Sequence, residues 1–167
     1  MAVTIDGTTG VSLVQDGVIT DANLPAGSVL QVVQGTTTSD TTVSSTTYTD
    51  TTLTASITPS STSSKILVVV SQSTYASRAS GSARIEFKLL KDSTSLQTFN
   101  YASSVVTGAS NTEMGNIIAL SYLDSPATTS SVTYKTQGRV STTNNGQEAR
   151  FQVSSSPSTI TLMEIAG

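Results

Sequence analysis

The stretch TTLTASITPSSTSSKILVVV, residues 51–70, decides the fold. Leu53, Ala55 and Ile57 recur at every second position with Thr54, Ser56 and Thr58 between them, the alternation of a half-buried strand. Pro59 has no N–H to give a ladder and ends that strand. From Ile66 to Val70 every residue is apolar, so a second strand needs cover on both faces. The two strands, joined through Pro-Ser-Ser-Thr, read as a core hairpin. Its second strand is expected to be shared between the domain's own core and a neighbour's surface.

Working outward, the composition says the same of the whole chain. Serine and threonine number 59 of 167 residues, and charged residues are only 11%, against about 25% in ordinary domains. Threonine is common and helix formers are sparse, so the local preference is for strand, and no 12-residue window reads as an amphipathic helix. A net charge of −3 and a pI near 4.7, without clustered Lys and Arg, argue against nucleic acid as partner. Apolar runs of five or six residues fall far short of the ~20 that a spanning helix needs, so no membrane partner is expected.

With no cysteine and no histidine there is no disulfide, no thiolate or imidazole metal site and no Ser/His/Asp triad. Glu86 alternates between Arg84 and Lys88 on a strand surface. Asp92 and Asp124 sit in turn sequences, and Glu113 in a polar stretch, so none reads as half of a glycosidase pair. The acids form no D-x-D cluster for calcium. The expectation is a protein that is not an enzyme and has no cofactor.

Residues 1–27 carry single apolar residues between Asp-Gly, Thr-Gly and Pro-Ala-Gly breaks, too scattered for a core. They read as an extended arm whose Val3, Ile5, Val11, Leu13, Val18 and Ile19 would attach the chain to a larger assembly. No basic start or apolar h-region marks a secretory signal, so synthesis in a cytoplasm is expected. Residues 28–167 form the head domain. Its strands are read at 29–34, 53–57, 66–70, 84–91, 96–101, 116–123 and 159–165. Val43 and Tyr48 are the inward anchors of the Thr-rich 36–50 stretch.

Asn145-Gly146, between inward sets Val132, Tyr134, Val140 and Ala149, Phe151, Val153, reads as a type I′ hairpin. Residues 71–82 read as a strand end plus an exposed loop closed near Gly81, and 102–115 as a long irregular loop. Tyr75 with Arg78 in the first and Asn111 with Glu113 in the second are the candidates for contact with a surface polysaccharide. The blander reading sets Tyr75 in the core and leaves the others simply solvated.

Nine or ten short strands without a helix predict an all-β protein, an antiparallel β-sandwich or jelly roll. Strands 29–33, 66–70, 117–123 and 160–165 are apolar on both faces, too many for a lone two-sheet sandwich. A homo-oligomer is therefore expected, a cyclic trimer being the form in which such domains commonly close. Leu67, Val69, Ile118 and Leu162 are its candidate interface residues.

The segment 25–70, from PAGSVLQVVQG to SSKILVVV, resembles a stretch recurring in tail-fibre-like and other virion proteins of marine and cyanobacterial phages, and TITLMEI (159–165) resembles their last strand. The resemblance implies a structural virion component. It would have a trimeric head similar to the tumour-necrosis-factor or C1q jelly roll and an N-terminal arm joined to other virion proteins. Unlike long fibre proteins, the chain has no repeats, heptads or Gly-X-Y shaft. A short host-contacting appendage, a capsid decoration protein of purely assembly role and a free-standing carbohydrate-binding module all fit.

Overall fold

Pro59 acts as its missing N–H requires, but the consequence is a corner between sheets and not a hairpin within one. The computed structural model describes residues 24–105 and 110–167. The described strands are β1 (Val29–Thr37), β2 (Thr41–Val43), β3 (Thr49–Ile57), β4 (Lys65–Ser80), β5 (Ala83–Lys91), β6 (Thr94–Val105), β7 (Ser110–Asp124), β8 (Val132–Val140), β9 (Glu148–Phe151) and β10 (Ser158–Ile165).

β3 pairs with β8 in a four-stranded sheet ordered β3-β8-β5-β6, whereas β4 belongs to a six-stranded sheet. In that larger sheet β7 runs along one edge of β4, while β10 and then β9 share the other, and β1 and β2 lie outside them. The order β1-β10-β4-β7 facing β3-β8-β5-β6 is that of a jelly roll, two Greek keys folded onto each other.

The corner at 58–64 is held from below. Glu164 of β10 accepts hydrogen bonds from the Ser60 backbone N–H and hydroxyl, both 2.7 Å, and from Gln31 Nε2 of β1 at 2.6 Å. One buried carboxylate thus ties β10 and its neighbour β1 to the corner.

Between the sheets lie Leu53 and Ile57 of β3, Ile66, Val68 and Val70 of β4, and Ile85, Phe87 and Leu89 of β5, all on the parities the alternation requires. Val43 is buried as expected, but Tyr48 is not an inward anchor. Its ring lies on the outer face between Lys88 Nζ, 3.9 Å from its centroid, and the Arg139 guanidinium at 4.5 Å. Two cations over a π face stabilise that outward placement. The core also holds polar groups. Thr136 donates to Gln72 Oε1 at 2.9 Å and meets the Thr51 hydroxyl, so β4 is bridged to β3 and β8 across the sandwich.

Three expectations change with this topology. Asn145 and Gly146 do take positive φ values, 56° and 62°, in a short 3-10 turn. However, β8 and β9 fall in different sheets, so Val140 and Phe151 do not pair side by side. Matching parities arise equally when two strands face each other across a core, and the Phe151 ring sits against Gly138, which has no side chain to obstruct it. Residues 71–82 are not a loop, because β4 continues to Ser80 and turns at Gly81 with φ +83°. Nor are 102–115, which belong to β6 and β7 apart from 106–109, outside the described residues. One continuous ladder joins Ile66–Asp124 to Ser80–Ser110. Its inward Gln72 and Thr74 are polar, which hides the period of two.

Candidate functional site

All four strands that are apolar on both faces lie side by side, in the order β1-β10-β4-β7. Their inward residues fill the core. Their outward residues fall into register: Val32 opposes Met163, Met163 opposes Leu67, and Leu67 opposes Leu123. Val32 is 57% and Leu123 52% exposed, and Val69, one step along β4, is 38% exposed between Thr161 and Ser121. Val29 and Ile117 extend the apolar surface. Among the described residues, the outward charges on these strands are Lys65 at one end and Glu113 at the other.

The opposite surface is built differently. On the outer face of the small sheet Arg139 pairs with Glu86, 2.6 Å from Nε to Oε2, and Lys135 pairs with Asp50 at 2.9 Å. Neighbouring charges of opposite sign stand side by side on that face, as on a surface that meets water. Among the described residues, β1, β10, β4 and β7 carry no such pair on their outer sides, the Arg150–Asp40 pair of the larger sheet starting from β9, so their exposed valines and leucines form an apolar surface.

The expected interface set divides on this geometry. Leu67 and Val69 do face outward. Ile118 and Leu162 do not: they are 6% and 0% exposed and belong to the chain's own core, because the parity that turns Leu67 out turns them in. Val32, Met163 and Leu123 share the outward row with Leu67 instead. The signal for them was present in the doubly apolar runs, but only strand order and register show that they form one row.

Tyr75, Arg78, Asn111 and Glu113 come together at the far end of the β4–β7 ladder, on strands and not on loops. Tyr75 lies opposite Gly115, and Ser77 opposite Glu113. The hydrogen bond between the Tyr75 phenol and Glu113 raises the phenol above its ordinary range, burial adds to this, and Arg150 partly offsets it. Arg78, Asn111 and Glu113 share a hollow of about 230 Å³ with Glu148. Arg78 is largely committed to structure, donating from Nε to the Asn144 carbonyl (3.2 Å) and from Nη1 to that of Ser82 (2.7 Å). Tyr75 itself lines a neighbouring open groove with Ile117 and Ser154. The arm candidates Val3, Ile5, Val11, Leu13, Val18 and Ile19 lie outside the described residues.

No protein-family model matches the chain, and no curated protein matches it. Among solved structures the chain is similar to dimeric latent PorU from Porphyromonas gingivalis, at 9% identity and a TM-score of 0.36, over 86% of this chain and 14% of that one. Nothing about this chain follows from so distant a likeness.

Proposed function

We propose that the chain is a non-enzymatic structural component of a phage virion, a short appendage or decoration whose head closes as a homo-oligomer, a trimer. Its N-terminal arm would join the head to other virion proteins. The observation that carries the assembly part is the uncharged outer row Val32, Met163, Leu67 and Leu123, set against an outer face of opposite character on the small sheet. Contiguous apolar surface of this kind is stabilised by burial against a like surface, and a second copy presents the same one. The virion setting is supported by the resemblance of 25–70 and 159–165 to phage virion proteins.

Light scattering on the full chain tests the assembly. The expected mass is three times 17.2 kDa, falling to one chain in Leu123→Asp and in Val69→Asp, with the far-ultraviolet spectrum unchanged. A wild-type monomer, or an oligomer that survives both charges, overturns it. Labelling purified particles with an antibody to the head tests the setting, and an unlabelled particle overturns that part alone.

A further inference from the structure

A second feature lies at the end of the sandwich, away from the apolar row. Arg84 of β5 and Arg78 of β4 line a cavity of about 430 Å³ with Tyr101, Ser82, Ser141 and Thr142. The remaining lining residue, Glu86, is already taken by Arg139. Neither arginine has a carboxylate within ion-pair distance among the described residues, although Lys91, Lys135, Arg139 and Arg150 all do. Lys65 and Lys88 likewise lack such a carboxylate among the described residues, but they do not line this cavity, where two arginines stand together.

The register builds this site. Ile85 pairs with Ser103 and Phe87 with Phe99, so β6 spends residues 100–102 opposite the single Glu86. Such a bulge re-aims side chains. Here it breaks the shared phase of Phe99 and Tyr101: Phe99 packs on the core and Tyr101 turns out, 65% exposed. The Arg84 guanidinium lies 5.0 Å from the Tyr101 ring centroid. Arg84 Nε is shielded from solvent and has no hydrogen-bond acceptor. A buried charged donor left without an acceptor is costly, and a charge-assisted hydrogen bond from an anion would satisfy it. Arg78, whose Nε and Nη1 hold the Asn144 and Ser82 carbonyls, fixes the rim and adds positive charge beside it.

We infer that this cavity binds a carboxylate-bearing sugar unit, a hexuronate of an acidic polysaccharide. The planar guanidinium of Arg84 matches a carboxylate in two parallel hydrogen bonds, a geometry that lysine cannot reproduce. The exposed Tyr101 ring offers an apolar face for a pyranose, and the hydroxyls of Ser82, Ser141 and Thr142 suit its hydroxyl groups. The volume holds a saccharide unit. The site lies away from the row Val32 to Leu123, so it stands or falls separately from the assembly reading.

The test is calorimetric titration of the full chain with trigalacturonate, with the neutral galactose trisaccharide, with sodium sulfate and with a pentaglutamate peptide. Binding of trigalacturonate, at least tenfold tighter than any of the other three, is expected. Arg84→Lys and Arg84→Gln should each weaken it at least tenfold, and Tyr101→Ala should weaken it by a comparable factor. Tyr101 is exposed and Arg84 half-buried, and melting curves would establish that the variants fold. Absence of trigalacturonate binding overturns the inference, as does equal affinity for the neutral sugar, sulfate or peptide, or unchanged affinity in Arg84→Lys.

Discussion

Replacing Gly138 with alanine tests where Phe151 sits, and with it the assignment of β8 and β9 to opposite sheets. A Cβ at 138 would stand 2.7 Å from Phe151 Cε2 and nearer still to Cζ, closer than real Cβ atoms come to anything. The ring has little room to retreat, being 0% exposed with Phe87 at a centroid distance of 6.4 Å. In an ordinary strand, Gly→Ala gains about 0.5–1 kcal/mol by restricting the unfolded chain. Overpacking a core costs about 1–3 kcal/mol. The second effect wins here, leaving a net loss of about 1–2 kcal/mol, or a Tm lowered by roughly 2–8 °C for a domain of this size. Thermal and urea unfolding at fixed protein concentration would measure it. Phe151→Leu should relieve the clash, so the double variant should lose less than the sum of the singles, with a coupling of about 0.5–3 kcal/mol. A neutral or stabilising Gly138→Ala, or strict additivity, would refute the packing and restore a hairpin between β8 and β9.

Gly35 faces the Thr54 carbonyl across the sheets, and a Cβ there would also come within 3.1 Å of Ile160 Cγ2. Gly35→Ala should therefore destabilise by about 2 kcal/mol in urea titration, since backbone yields less readily than a side chain. Burial pushes the Glu164 carboxyl up, but hydrogen bonds from Gln31 and Ser60 outweigh it and hold the group below its ordinary range. Glu164→Gln should cost about 2 kcal/mol at pH 7. That contribution is present above about pH 4.3 and lost as pH falls through the lowered pKa, so wild type and variant should converge in acid-unfolding curves. Burial, and then the 2.7 Å hydrogen bond to Asp124, raise the Tyr134 phenol well above the tyrosine range. Its contribution is complete below about pH 10 and lost above. Ultraviolet titration should show one phenol ionising only with unfolding, a step absent from Tyr134→Phe.

Much of the fold was legible in single strands. Leu53, Ala55 and Ile57, and likewise Ile85, Phe87 and Leu89, are buried as their spacing requires, because side-chain direction in a strand is a local property with a period of two. The absence of histidine and cysteine likewise limited the available chemistry without reference to any fold. The phase failed where inward residues are polar, as at Gln72 and Thr74, whose partners come from other strands. It failed again at Tyr101, where a bulge defined only by the β5–β6 register reverses the facing.

Strand neighbours are a different matter, since backbone pairing carries no trace in the sequence of either strand alone. Residues 51–70 by themselves determined two strands, a break at Pro59 and a second strand needing cover on both sides. Only the tertiary structure placed those strands in opposite sheets and set β1, β10 and β7 beside β4, so that four separate apolar outer faces became one surface.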